Sequence, residues 1–150
     1  MKKKFLALLL AVLMVFSLMP VTAFAEAQTI GDSNVTWELS EGNTVLTLGG
    51  TGAMPDFNSV DPAPWKEYHD KIETVVIGSG VTAIGSEAFS GFDALTSVTI
   101  PSSVTTIKLR AFFSCGKLTN VILPNGVMSI GNYAFASCQE LTSVTIPSSH

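Results

Sequence analysis

LTSVTIPSS runs from Leu95 to Ser103 and returns letter for letter from Leu141 to Ser149, 46 positions later. The interval is twice 23, and other residues keep step with the half-interval: Phe89, Phe112 and Phe135; Leu95, Leu118 and Leu141; Val98, Val121 and Val144; Ile100, Leu123 and Ile146; Pro101, Pro124 and Pro147. The register extends backward, with Ile72, Val75 and Ile77 each 23 residues ahead of Leu95, Val98 and Ile100, and Gly80-Val81 and Ile84 matching Ser103-Val104 and Ile107. Recurrence at a fixed short period marks a chain built from stacked copies of one supersecondary unit.

One such unit cannot fold alone. Its few large apolar side chains, Leu95, Val98, Ile100, Val104, Ile107 and Phe112 in one copy, bury too little surface to offset the entropy of fixing 23 residues. Stacked copies share a core and run their strand hydrogen bonds from coil to coil. A 23-residue period falls in the range of leucine-rich repeats. Within a unit, LTSVTIP reads as a short strand with Val98 and Ile100 inward and Ser97 and Thr99 outward, ended by Pro101, which has no N–H to give the ladder. SVTTI reads as a second extended piece across the coil. AFSGFDA, AFFSCGK and AFASCQE read as a helical turn with Phe plugging the core. Gly85 and Gly131 precede that turn and imply a backbone shape that other residues resist. Lys108 breaks this pattern, so Lys108→Gly is expected to stabilise the fold. The expected fold is a repeat solenoid, mostly β with short helical turns, with leucine-rich repeat horseshoe-type coils behind an N-terminal β-hairpin cap.

The first 25 residues read as an export signal: Lys2, Lys3 and Lys4, an apolar run from Phe5 to Met19 broken only by Ser17, then Pro20 and the small-residue site Ala23-Phe24-Ala25. Fifteen residues rise ~22 Å as a helix, short of the ~30 Å hydrocarbon core, so cleavage is expected over anchoring. Cleavage removes three of the eight basic residues and none of the twelve acidic ones, leaving 125 residues at net charge −7. Such a chain lacks the basic footprint of a nucleic-acid binder and is not drawn to anionic lipid.

The stretches VTAIGSEAFSGFDALTSVTIPSSVTTI and VMSIGNYAFASCQELTSVTIPSS closely resemble the BspA-like leucine-rich repeat family of bacterial surface proteins, over about Ile72 to Ser149. VTWELSEGNTVLTLGGTGAMPDF, followed by Pro64-Trp65, resembles the non-repeat cap that often precedes such repeats. The resemblance implies an exported or surface-displayed protein of a family in which some members are adhesins. The residues agree with a cap over 26–71, ahead of repeats over 72–150. A solenoid end exposes apolar core and strand edge that need cover. Val35, Trp37 and Leu39 share one face of a strand, Glu41-Gly42-Asn43 makes a turn, and Val45 to Leu48 returns. Trp65 is expected near the place that Ala88 and Phe89 take one repeat later. His150 falls mid-repeat, so the chain is expected to be the N-terminal part of a longer protein.

Chemistry is sparse. Cys115 and Cys138 take the slot that Phe92 holds one unit earlier, so they read as buried apolar thiols. Adjacent coils lie ~4.8 Å apart, within disulfide range, and a bridge stays open as an alternative. No further ligands accompany them for a metal, and His69, in the cap segment WKEYHDK, is coils away from Cys138. Asp56 and Asp61 match no spaced Ca²⁺ motif and read as solvated loop carboxylates. No Gly-Lys-Ser/Thr or G-x-G-x-x-G cradle is present. No catalytic, cofactor or metal site is expected.

What is left is surface. Outward positions form two ladders: Thr74, Ser97, Asn120 and Ser143, then Val76, Thr99, Ile122 and Thr145. Nothing on them transfers a proton near neutral pH, which suits contact with an extracellular protein or glycan better than turnover. Cross-strand stabilisation explains the hydroxyls equally well. The expected function is an exported, noncatalytic binding module, secreted or at the cell surface, acting in adhesion. The alternative is the targeting region of a larger exported enzyme with its catalytic domain beyond residue 150.

Overall fold

The computed structural model describes residues 26–146; the expected export signal and the last four residues lie outside it. Eleven short strands follow in order: β1 (Gln28–Thr29), β2 (Val35–Leu39), β3 (Val45–Gly50), β4 (Gly52–Ala53), β5 (Thr74–Ile77), β6 (Val81–Ile84), β7 (Ser97–Thr99), β8 (Thr106–Ile107), β9 (Asn120–Ile122), β10 (Ser129–Ile130) and β11 (Ser143–Thr145). The repeat strands pair in parallel one period apart, Val75 opposite Val98 and Val121 opposite Val144. One wall of the coils is the sheet β1-β2-β3-β5-β7 together with the pair β9-β11, and the other is the sheet β4-β6-β8-β10.

Between the walls lies a core made of columns. Ile72, Leu95 and Leu118, Val81 and Val104, and Ile84 and Ile107 are all buried. A further column is aromatic. Trp65, Phe89, Phe112 and Phe135 stack with successive centroid separations of 5.8, 5.2 and 5.3 Å. Trp65 thus stands where a phenylalanine would stand in a preceding coil.

The cap is a hairpin that merges with the repeats. β2 and β3 pair antiparallel about the turn Glu41–Asn43, where Gly42 and Asn43 adopt positive φ. β3 then pairs in parallel with β5, Leu46 opposite Val75 and Leu48 opposite Ile77, and β4 joins β6 on the other wall. Residues 45–66 therefore trace a coil of their own, with an offset of 29 at Leu46–Val75 instead of 23.

The segments expected as a helical turn fold differently. Residues two apart donate to the next coil: Glu87 N to Leu109 O (3.0 Å), Phe89 N to Ala111 O (2.8 Å) and Gly91 N to Phe113 O (2.7 Å). Arg110, Phe112 and Ser114 repeat this toward Asn132, Ala134 and Ala136. The residues between them close local turns, Ala88 N to Gly85 O and Ser90 N to Glu87 O. No helical ladder forms because half of the donors point along the stack. That geometry places positive φ at Glu87, Arg110 and Tyr133 and again at Gly91, Ser114 and Ser137.

At the cap, the matching carbonyls of Ser86, Ala88 and Ser90 have no preceding repeat coil to serve them. They are met by Phe57 N–H (2.9 Å), the Trp65 indole Nε1–H (2.8 Å) and the Lys66 ammonium. Three donors of three chemical kinds replace the missing coil.

Candidate functional site

Each repeat strand turns its middle valine inward and its flanking residues outward, so the strands position a flat outer strip without help from loops. All eight residues of the two ladders lie on this strip. Thr74 is half-buried and the other seven are exposed. Register sets Thr74 beside Ser97, Val76 beside Thr99, Asn120 beside Ser143 and Ile122 beside Thr145. One cross-strand hydroxyl contact occurs, Ser97 Oγ to Thr74 Oγ1 at 3.5 Å. The other threonines of the repeat look elsewhere: Thr96 and Thr142 donate to the Glu73 and Thr119 carbonyls of the preceding coil.

The strip extends further than the repeat columns. Val45 and Thr47 of β3 sit opposite Thr74 and Val76, and Glu38 of β2 sits opposite Thr47. Sequence reasoning missed them because the 23-residue count stops at the cap. It also missed a break. β7 and β9 do not join in one ladder, and between them opens a cleft of about 260 Å³ lined by Val98, Thr99, Ile100, Asn120 and Ile122. Ile122 is 67% exposed there, the more open of the two apolar side chains, with Val76, on a mostly hydroxylated surface.

The remaining candidates separate cleanly. Cys115 is buried and Cys138 half-buried, both are free thiols, and they donate to Phe89 O (3.2 Å) and Phe112 O (3.1 Å) of the coil before. The slot is a core slot, as Phe92 in the same position confirms by its full burial. The hydrogen bond available from Cys115 lowers the Cys138 thiol to about 7. The same contact, reinforced by burial, pushes Cys115 up. His69 lies far down the chain from the thiols. Its Nδ1 approaches Asp93 Oδ2 at 3.3 Å, but without hydrogen-bond alignment. Asp56 is no free loop carboxylate. It accepts Ser86 N–H (3.0 Å), the main cause of its lowered pKa, and pairs with Lys108 Nζ (3.1 Å). Among the described residues, no group of three or more His, Cys, Asp or Glu is placed to hold a metal ion. No helix there is long and apolar enough to cross a membrane.

Comparison with known proteins agrees with this geometry. The BspA type leucine rich repeat region matches residues 67–150 in six copies. A solved leucine-rich repeat protein from Eubacterium ventriosum is similar over 85% of the chain at 22% identity with a TM-score of 0.56. One from Bacteroides capillosus is similar over 83% at 21% identity with a TM-score of 0.53. The match takes in 45% of the first protein, so the chain spans less than half its length, and 100% of the second. A leucine rich cell surface protein from Faecalibacterium prausnitzii is similar over 82% of the chain and 43% of its own length, at 23% identity and a TM-score of 0.42. No curated protein matches the sequence.

Proposed function

Because the chain belongs to the BspA-type leucine-rich repeat family, we propose that it is a noncatalytic binding module of an exported, cell-surface protein, with the outer strip of β5, β7, β9 and β11 as its contact surface. The observation that carries this is the cleft between β7 and β9. An exposed isoleucine beside unladdered strand edges, on an otherwise small and neutral face, fits an apolar side chain of a protein ligand. A glycan would find the hydroxyls but would leave Ile122 uncovered. Export and surface display rest on the basic, apolar and A-x-A order of residues 1–25.

The test is a double substitution, Asn120→Arg with Ile122→Arg, screened against arrays of purified extracellular glycoproteins and of free glycans. Both side chains are exposed, so melting temperature should hold within about 2 °C while binding to a protein ligand falls at least about tenfold. Undiminished binding by the double variant rejects the strip. Binding confined to free glycans rejects the protein ligand.

A further inference from the structure

An opening wider than the cleft on the strip lies at the cap. It holds about 530 Å³, and every lining residue precedes the first repeat strand. Its floor is apolar and stiff. Trp37 and Phe57 both pack edge-on against the buried Trp65, with centroids 6.0 and 5.5 Å away, so neither ring is free to swing. Ile30, also buried, completes the floor.

The rim is acidic. Asp32, Asp56 and Asp61 line the opening, and no Lys, Arg or His does. Asp56 is already committed to Ser86 and Lys108. Asp32 and Asp61 are exposed, and among the described residues their carboxylates make no hydrogen bond or ion pair. The loop bearing Asp61 is held in shape: Asn58 Oδ1 accepts both Val60 N–H (2.8 Å) and Asp61 N–H (2.9 Å), and Phe57 N–H is tied to Ser86 O. β1, whose Gln28 and Thr29 also border the opening, is the edge strand of its sheet, paired only with β2.

An apolar aromatic floor under acceptor-only carboxylates discriminates between ligands. A neutral sugar would find donors in the Gln28 amide and the Thr29 hydroxyl but would bring no positive charge to the exposed Asp32 and Asp61 carboxylates. A lysine or arginine side chain satisfies every part: its aliphatic stem covers Ile30 and Phe57, and its charge lies between Asp32, Asp61 and the Trp37 ring. Beside it, an extended main chain can pair with the free edge of β1.

We propose that the cap groove is a second binding site, separate from the strip, that takes a basic side chain of an extended segment of a partner polypeptide. The probe is a hexa-arginine peptide, followed by tryptophan fluorescence and calorimetry, with a Gly-Ser hexapeptide and a neutral oligosaccharide as comparisons. Asp32→Asn with Asp61→Asn should weaken hexa-arginine binding at least about tenfold without moving the melting temperature. Glu73→Gln with Glu140→Gln removes the same charge elsewhere and should leave it unchanged. Equal losses in the two double variants would make the binding a net-charge effect and overturn the site, as would no binding by the native chain or a preference for the oligosaccharide. Asn120→Arg with Ile122→Arg should leave hexa-arginine binding intact, so the groove and the strip fail or stand independently.

Discussion

Gly85 and Gly131 are needed for closeness between coils, not for a strained backbone. Neither has positive φ. A Cβ at Gly85 would sit 1.8 Å from the Pro55 carbonyl oxygen, and one at Gly131 would sit 2.5 Å from the Leu109 nitrogen. Within the repeats, left-handed backbone falls instead at Glu87, Arg110 and Tyr133 and at Gly91, Ser114 and Ser137, six positions of which only Gly91 carries a glycine for a reader to find. Lys108 is consequently not a misfit waiting for glycine. Its φ is not positive, and its ammonium reaches Asp56 across the stack. The expectation that Lys108→Gly stabilises is corrected to a loss of about 1 kcal/mol, from added unfolded-chain freedom and a weak surface pair. Gly85→Ala forces backbone apart and should cost about 2 kcal/mol or more. Thermal or urea denaturation of the two variants checks both; a rise in stability for Lys108→Gly would restore the strained-backbone reading.

The column, and not the strand, is the element on which this fold turns. Strands of two or three residues have little stability of their own, but a column of rings spaced 5.2–5.8 Å apart makes each coil the template for the next. Columns were legible because repetition prints them: the valines and phenylalanines at 23-residue intervals, the outward ladders and the β2–β3 hairpin all follow from pattern. The place of Trp65 beside Ala88 and Phe89 was legible too, by counting back one period. Illegible were features made of backbone or of separated segments. The forward-pointing amides of 87, 89 and 91 leave no residue signature, the β7–β9 cleft depends on strand geometry that NVI does not encode, and the cap groove assembles three stretches of chain. Trp65 couples these levels, since its ring belongs to the column while its N–H serves Ala88. Trp65→Phe should keep the stacking and lose the hydrogen bond, costing about 1–3 kcal/mol. Trp65→Ala loses both and should cost about 3–5 kcal/mol or more. Equal losses would mean that the indole N–H contributes nothing.

At the scale of the molecule, burial among the described residues declines along the stack. Ile107 is fully buried but Ile130, one coil later, is 43% exposed; Ile100 is 8% exposed but Ile146 is 71%. In a nearest-neighbour stack such a gradient is also a gradient of local opening. Hydrogen exchange should find the amides of β5 to β8 protected to near the global unfolding limit and those of β10 and β11 exchanging at least about tenfold faster; uniform protection would show one cooperative block. The row of amides beside the phenylalanine column has a further property. Every bond in it runs the same way, donor toward the cap and acceptor toward the later coil, so the small dipoles add instead of cancelling. The carbonyl end is closed by Phe57, Trp65 and a cation, Lys66. On the side away from the cap, the N–H groups of Tyr133, Phe135 and Ser137 meet no acceptor among the described residues. Two copies related by a two-fold axis through that side would set donor against donor. The stack is thus a one-way rail: whatever packs against the N–H groups of Tyr133, Phe135 and Ser137 must offer carbonyls, which another coil in the same orientation does and a mirror-facing twin does not.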